Sequence, residues 1–162
     1  MIERRFEKIS EEQFNKDLES YENKIDYNEI ILPRRSTMHS AGYDFYSPIE
    51  LEIKPHEFVK VPTGIKASMN NQDVLFIIIR SSLGIKKGLR LRNQTGVVDA
   101  DYYNNTDNEG HIWIVIENTE DNSYVINKND RIAQGIFLSY NTVFEDEPLQ
   151  VERQGGIGST NK

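Results

Sequence analysis

Two hydrophobic periods divide the chain. Near its start, Phe14, Leu18 and Tyr21 recur at helical spacing behind Ser10 and Gln13, which have the form of a capping box. This spacing predicts a short amphipathic helix over roughly residues 10 to 20. After Pro33 the period falls from about 3.6 to 2. In IELEIK (49–54), Ile49, Leu51 and Ile53 alternate with Glu50, Glu52 and Lys54, the signature of a strand with one wet face. The alternation returns in GIKASM (64–69). By contrast, VLFIII (74–79) and IWIVI (112–116) are apolar at every position, so both their faces are expected to be covered, as in central strands or strands at a subunit contact.

Turn signals fall between these runs at Lys54-Pro55, Pro62-Thr63-Gly64, Lys87-Gly88, Thr95-Gly96 and Lys128-Asn129-Asp130. Many short strands punctuated in this way predict an all-β sandwich, jelly roll or small barrel. No internal repeat is visible, and glycine-rich GGIGSTNK (155–162) is the one low-complexity stretch.

Length and charge narrow the partners. At 162 residues the chain is sized for one hydrophobic core. Its 19 Lys plus Arg against 26 Asp plus Glu leave a net charge of -7, which argues against stable nucleic-acid binding. A small phosphorylated ligand needs only a few Arg side chains and N–H groups. The lack of cysteine excludes a disulfide scaffold, a thiolate zinc site and a cysteine nucleophile, and fits a reducing compartment. No apolar run approaches the ~20 residues of a membrane-spanning helix, and the N-terminus lacks the apolar core of a secretory signal. The expectation is a cytoplasmic protein with no membrane contact.

Five polar patches interrupt the strand pattern. In SAGYDFYS (40–47), Asp44 breaks an apolar and aromatic strand; alone, it fits a turn-edge carboxylate held by backbone N–H groups. RSSLG (80–84) follows the most apolar run. Arg80, Ser81 and Ser82 there offer phosphate oxygens a guanidinium fork and two hydroxyls, or else form a strand end whose Arg pairs with a carboxylate. GLRLRNQTGVVDADYYNN (88–105) reads as a β-hairpin around Asn93 to Gly96, followed by Asp99, Asp101 and Tyr102-Tyr103. In an extended chain the two aspartates share a face about 7 Å apart, with Tyr102 opposite unless the strand bends. They suit a metal site, a base with a structural partner, or a solvated loop.

In NDRIAQ (129–134), Asp130 and Arg131 precede a buried strand and Gln134 sits in an apolar setting, which by itself reads as a turn and a salt-bridged edge strand. In RQGGIGSTNK (153–162), an Arg, repeated glycines and two hydroxyls have the makings of an anion-holding nest or of a frayed tail, but not of a Walker A loop. His39, His56 and His111 show no zinc-binding spacing and read as surface or turn residues.

Taken in order, SAGYDFYS, RSSLG, GVVDADYYNN, NDRIAQ and the RxGGxGST tail resemble the five successive motifs of the trimeric deoxyuridine triphosphatase (dUTPase) family. The TDNEGH segment (106–111) resembles a variant found in dUTPases of Gram-positive bacteria and their phages. The resemblance implies one domain over residues 1–162, a distorted β jelly roll with an N-terminal strand and helix extension (1–32) and a flexible C-terminal lid (153–162). It implies a homotrimer whose sites are shared between subunits. It also implies hydrolysis of dUTP to dUMP and pyrophosphate, which limits uracil incorporation into DNA and supplies dUMP for dTTP synthesis. Mg²⁺ would be held through the triphosphate and water, with no direct protein ligand.

By resemblance, Asp99 orients and deprotonates the attacking water. Tyr102 packs on the deoxyribose and leaves no space for a 2′-hydroxyl, while the hairpin carrying Asn93, Gly96 and Val98 reads the uracil edge. Arg80, Ser81, Ser82 and Gln134 attend the phosphates, and Asp44, Asp101, Asp130 and Arg131 support the site. Arg153 meets the γ-phosphate as the tail through Gly156, Ile157, Gly158, Ser159 and Thr160 closes over the nucleotide. The chain departs from the family pattern at Ile157, where Phe is common, and at Gln154, where a glycine usually follows the Arg. Two other readings remain. One is a dCTP deaminase of the same fold, which needs a catalytic Glu and different residues at GVVDADY. The other is a non-catalytic nucleotide-sensing trimer with a regulatory protein partner.

Overall fold

A computed structural model describes residues 3–22, 25–148, 153 and 155–156. It opens with β1 (Arg5–Lys8) and α1 (Glu11–Asp17). Ser10 caps α1, its Oγ accepting from the Gln13 N–H at 3.1 Å. Only half of the capping box forms: the Gln13 amide donates to Asp17 Oδ1 at 2.9 Å, and the Ser10 N–H donates to Glu109 at 2.9 Å. The helix is shorter than its spacing predicts. Leu18 is already the C-cap and Tyr21 lies beyond it, so Phe14 alone is buried from within α1. Burial of that ring contributes about 1.5–3 kcal/mol and fastens the N-terminal segment to the core.

The remaining chain is mostly strand: β2 (Arg34–Arg35), β3 (Tyr43–Tyr46), β4 (Leu51–Ile53), β5 (Phe58–Pro62), β6 (Ile65–Ser68) and β7 (Asp73–Ile79). A second helix, α2 (Ser81–Lys87), precedes β8 (Leu89–Leu91), β9 (Gly96–Asp99), β10 (Trp113–Asn118), β11 (Tyr124–Ile126) and β12 (Arg131–Ser139). A five-stranded sheet runs β2-β3-β12-β7-β9 and a three-stranded sheet β5-β10-β8, with smaller pairs β1-β6 and β11-β4. Every pairing is antiparallel.

The two continuous apolar runs form central strands, β7 between β12 and β9, and β10 between β5 and β8. Their second faces are less covered than the pattern predicts. Leu75, Ile77, Ile114 and Ile116 are buried, whereas Phe76, Ile78, Trp113 and Val115 are only half-buried within this chain.

Two elements differ from expectation. RSSLG does not extend a strand: Ser81 and Ser82 open α2, which ends at Gly88 in the left-handed conformation. With seven residues and none of them buried, α2 has no apolar stripe for a periodicity argument to find. The predicted hairpin is also absent as a ladder. Its turn exists, with Gln94 N–H donating to Leu91 O at 2.9 Å, but β8 pairs with β10 and β9 pairs with β7. The Arg92 N–H donates to Val115 O at 2.9 Å and keeps the incoming arm on β10, while Gly96 is already in register with Ile77. The segment is therefore a corner joining two sheets.

Gly135 lies on β12 opposite Tyr43 on one side and Ile77 on the other. A Cβ there would meet Leu75 Cδ1 and Phe45 Cε2, each at 2.9 Å, two side chains with no exposed surface. Gly135→Ala is therefore expected to destabilise the fold by about 1–3 kcal/mol through overpacking. Urea denaturation followed by fluorescence checks this.

Candidate active site

The chain's chemistry gathers at two cavities. The larger, of about 920 Å³, is lined by Asn93, Gly96, Val97, Val98, Asp99 and Tyr102, with Asp107 and Asn108 from the following loop, Trp113 and Val115 from β10, Lys60 from β5, Lys16 and Asp17 from α1, and Arg153 and Gly156 from the tail. The smaller, of about 210 Å³, is lined by Ser36, Ser40, Gly42, Asp44, Arg80, Ser81, Ser82 and Gln134. They share no residue.

Asp99 and Tyr102 reach one cavity because the backbone bends. β9 ends at Asp99, and Ala100–Tyr102 tightens at once into a 3₁₀ turn, so the alternation that would send Tyr102 to the opposite face stops. The Tyr102 hydroxyl is then fixed from two sides. It donates to His111 O at 2.7 Å and accepts from Asn108 Nδ2 at 2.9 Å. Burial pushes this hydroxyl's pKa up, so it stays protonated at neutral pH. The loop turns back at Gly110, whose φ of +83° and whose clearance leave no room for a side chain: a Cβ would lie 2.6 Å from Tyr102 O.

Arg153 spans both aspartates, Nη2 lying 2.5 Å from Asp99 Oδ2 and Nε 2.8 Å from Asp101 Oδ1, with the guanidinium 5.9 Å from the centre of the Tyr102 ring. Asp99 and Asp101 are thus brought together through a shared cation. Among the described residues, no three His, Asp or Glu side chains gather into a set able to hold a metal ion. Gln154, Ile157, Gly158, Ser159 and Thr160 lie outside the described residues.

The smaller cavity is organised by a buried carboxylate. Asp44, 4% exposed, receives Arg80 Nε at 3.0 Å, Ser36 Oγ at 2.5 Å and Arg131 Nη1 at 3.4 Å. Two guanidinium groups compensate one desolvated charge, and of the two Arg80 lines the cavity. Gln134 sits opposite Asp44 in the β12–β3 register, and Gly42 makes space for it: a Cβ on Gly42 would fall 2.5 Å from Gln134 Oε1. Asp130 lines neither cavity. Its carboxylate accepts from Asn127 N–H at 2.9 Å and closes the turn that delivers Arg131.

His111 corrects the surface reading of all three histidines. His39 and His56 are exposed, but His111 is fully buried. Its Nε2 accepts from the Gly64 N–H at 2.9 Å and its Nδ1 lies 2.6 Å from Asp17 Oδ2. Sequence reasoning also missed Lys16, Asp17, Lys60 and Trp113 as cavity residues. Lys16, Asp17 and Lys60 come from elements distant along the chain, and Trp113 lies in the IWIVI run, whose apolar pattern reads as strand and not as cavity wall. Asn108 was within reach, since it belongs to the TDNEGH segment already singled out.

The all-β fold thus gathers a carboxylate and an aromatic ring at one cavity, and an arginine with serine hydroxyls at another on the same sheet. The chain belongs to the dUTPase family, whose profile matches residues 28–161. It is 46% identical over 132 residues to the deoxyuridine 5'-triphosphate nucleotidohydrolase of Lactococcus lactis, a match covering 81% of this chain and 88% of that protein. The dUTPase of Streptococcus mutans matches in structure with a TM-score of 0.70 and 40% identity, over 86% of this chain and 98% of that one. The dUTPase of Staphylococcus bacteriophage 80alpha, solved with dUPNHPP, shares the fold at a TM-score of 0.67 and 22% identity, over 97% of each chain.

Burial lowers the His111 pKa below its ordinary 6.5, although Asp17 opposes the shift. The unfolded chain therefore takes up this proton first as pH falls, and stability is lost progressively once pH drops below about 6.5. The urea midpoint is expected to decline with pH in the window just beneath 6.5, ahead of carboxylate titration. Denaturation curves recorded across that window check it.

Proposed function

We propose that the chain hydrolyses dUTP to dUMP and pyrophosphate, and the observation that carries this reading is the meeting of Asp99 and Tyr102 at one cavity with the turn residues Asn93, Gly96 and Val98. Asp99, about half exposed, orients a water for in-line attack on the α-phosphate and accepts its proton. The Tyr102 ring, locked at its hydroxyl, lies flat against the deoxyribose and leaves a 2′-hydroxyl no room. The corner between β8 and β9 presents backbone donors and acceptors to the uracil edge. A thymine methyl or cytosine amine there leaves buried groups unpaired, at about 1–3 kcal/mol each.

The phosphates need Arg80, Ser81, Ser82 and Gln134, and one chain cannot bring these to its own Asp99. Asp99 is in register with Val74 at the start of β7, and Arg80 follows Ile79 at its end. At about 3.3 Å per residue the two lie roughly 20 Å apart along a rigid strand. The catalytic unit is therefore an oligomer, a homotrimer on the family pattern, in which the cationic cavity of one subunit faces the Asp99 cavity of another. Arg80 and Ser81 then stabilise charge growing on the bridging oxygen.

The substrate is the Mg²⁺ complex of dUTP. In this reading the ion would be held by phosphate oxygens and water, with no direct protein ligand. Bound in this way it neutralises phosphate charge. Arg153, paired with Asp99 and Asp101 in the free chain, transfers to the terminal phosphate as the tail with Gly156, Ile157, Gly158, Ser159 and Thr160 closes, and this frees Asp99 for the water. No described helix is long and apolar enough to cross a membrane, and the proposed setting is the cytoplasmic nucleotide pool, where the reaction limits uracil entry into DNA and supplies dUMP.

With dUTP, dCTP, dTTP and UTP offered separately with Mg²⁺, pyrophosphate is expected from dUTP alone; ammonia from dCTP would instead identify a deaminase. Asp99→Asn is expected to lower kcat about 10²- to 10⁴-fold while calorimetry still shows nucleotide binding. Turnover near that of the unaltered chain would remove Asp99 from the base role. Removal of residues 153–162 is expected to depress turnover and leave the sedimentation of the trimer unchanged.

A further inference from the structure

Rejection of ribonucleotides by the Tyr102 ring depends on what holds the partners of its hydroxyl in place. Its hydroxyl partners, the His111 carbonyl and the Asn108 amide, both belong to the loop after the 3₁₀ turn. That loop is gripped at two points by the N-terminal helix. At one end of α1, the Ser10 N–H and Oγ both donate to the Glu109 carboxylate, at 2.9 and 2.5 Å. At the other end, Asp17 Oδ2 lies 2.6 Å from His111 Nδ1. Phe14, fully buried between these two anchors, fixes the helix to the core.

The protonation of His111 follows from its partners. The Gly64 N–H can only donate, so Nε2 carries the lone pair and the proton of the neutral ring resides on Nδ1. That N–H has no access to solvent and needs an acceptor, and Asp17 provides it. Asp17 is itself held by the Gln13 amide at 2.9 Å, one helical turn earlier. The imidazole lies 4.7 Å from the Trp113 ring and belongs to the same residue as the carbonyl that accepts from Tyr102.

We propose that Asp17 is a positioning residue: its hydrogen bond to His111 sets the carbonyl that anchors the Tyr102 hydroxyl, and through that ring α1 governs the discrimination between deoxyribose and ribose nucleotides. This rests on the dUTP-hydrolase reading. It gives the N-terminal segment, which lies outside the five motifs, a role in specificity. Asp17 needs no contact with substrate, and it acts as an acceptor and not as a charge, because the ring it holds is neutral.

The test compares the unaltered chain with Asp17→Ala and Asp17→Asn, measuring kcat/KM for dUTP and UTP with Mg²⁺. Asp17→Ala is expected to lose about tenfold in the dUTP-over-UTP ratio, the equivalent of one misplaced hydrogen bond. Asp17→Asn, whose Oδ1 still accepts from Nδ1–H, is expected to keep the ratio within about twofold of the unaltered chain. A folded Asp17→Ala protein with an unchanged ratio, even one that melts lower, would overturn the proposal, as would an Asn variant no better than Ala. In parallel, ¹³C-labelled tyrosine NMR, assigned with Tyr102→Phe, reads the ring itself: restricted in the unaltered and Asn chains, averaged in Ala. If the unaltered chain turns over no dUTP, the function reading fails on its own. The ring signals then decide the positioning claim, with identical Tyr102 dynamics in all three chains overturning it.

Discussion

The bend that ends β9 is the constraint on which the site depends. A strand places residues three apart on opposite faces, so a chain that continued straight past Asp99 would separate the carboxylate from the Tyr102 ring. The 3₁₀ turn over Ala100–Tyr102 removes that separation. Such a turn is short and weakly held by its own hydrogen bonds, so its geometry must be fixed from outside. Here the following loop does this. Asn105 Nδ2 donates to Tyr102 O at 2.8 Å, Asn108 and His111 hold the hydroxyl, and Gly110 closes the loop in a conformation few other residues adopt.

Two arginine–carboxylate assemblies lie toward opposite ends of β7, and their burial sets what each can do. Asp44 is almost wholly enclosed and bound by two guanidinium groups, so loss of either partner would leave a desolvated charge poorly compensated. It is a fixed structural unit that presents Arg80 in one orientation. Asp99 and Asp101 are 49% and 62% exposed, and water screens their attraction to Arg153. A pair of that kind exchanges partners readily, which suits the roles proposed for Asp99 toward a water and for Arg153 toward a phosphate.

Much of this was legible in the sequence. The doubly apolar runs located β7 and β10, which are central in their sheets, although within the chain the second face of each is only partly buried. Ser10 located the start of α1 through a backbone requirement that few residue types meet. The failures share a cause. Helix α2 buries nothing in this chain, so it leaves no periodic trace. The corner at residues 92–95 carries a hairpin's turn chemistry, but the partner of each arm is decided by distant strands. His111 and Asp17 lie 94 residues apart and become a pair only when α1 packs behind the loop. Local patterns report local requirements, and a buried histidine's requirement is met from elsewhere.

The register of β7 carries the argument to quaternary structure. Its first turn of pairing fixes Asp99 beside Val74, and its last residues lead into Arg80, so one strand separates the two halves of the chemistry. β12, paired along the whole of β7, carries Gln134 beside Ile78 and therefore to the Arg80 end. No side-chain motion spans that distance, and a one-residue slip would turn every buried side chain of β7 to the other face. On the proposed assignment of Arg80 and Asp99 to one reaction, so rigid a separation leaves each end of a single chain without the other. The proposed oligomer answers this geometry: with the Arg80 end of one β7 against the Asp99 end of another, each contact would complete a site and each chain would contribute to two. Phe76 and Ile78, on β7 itself and only half-buried within the chain, would supply apolar area for such an association.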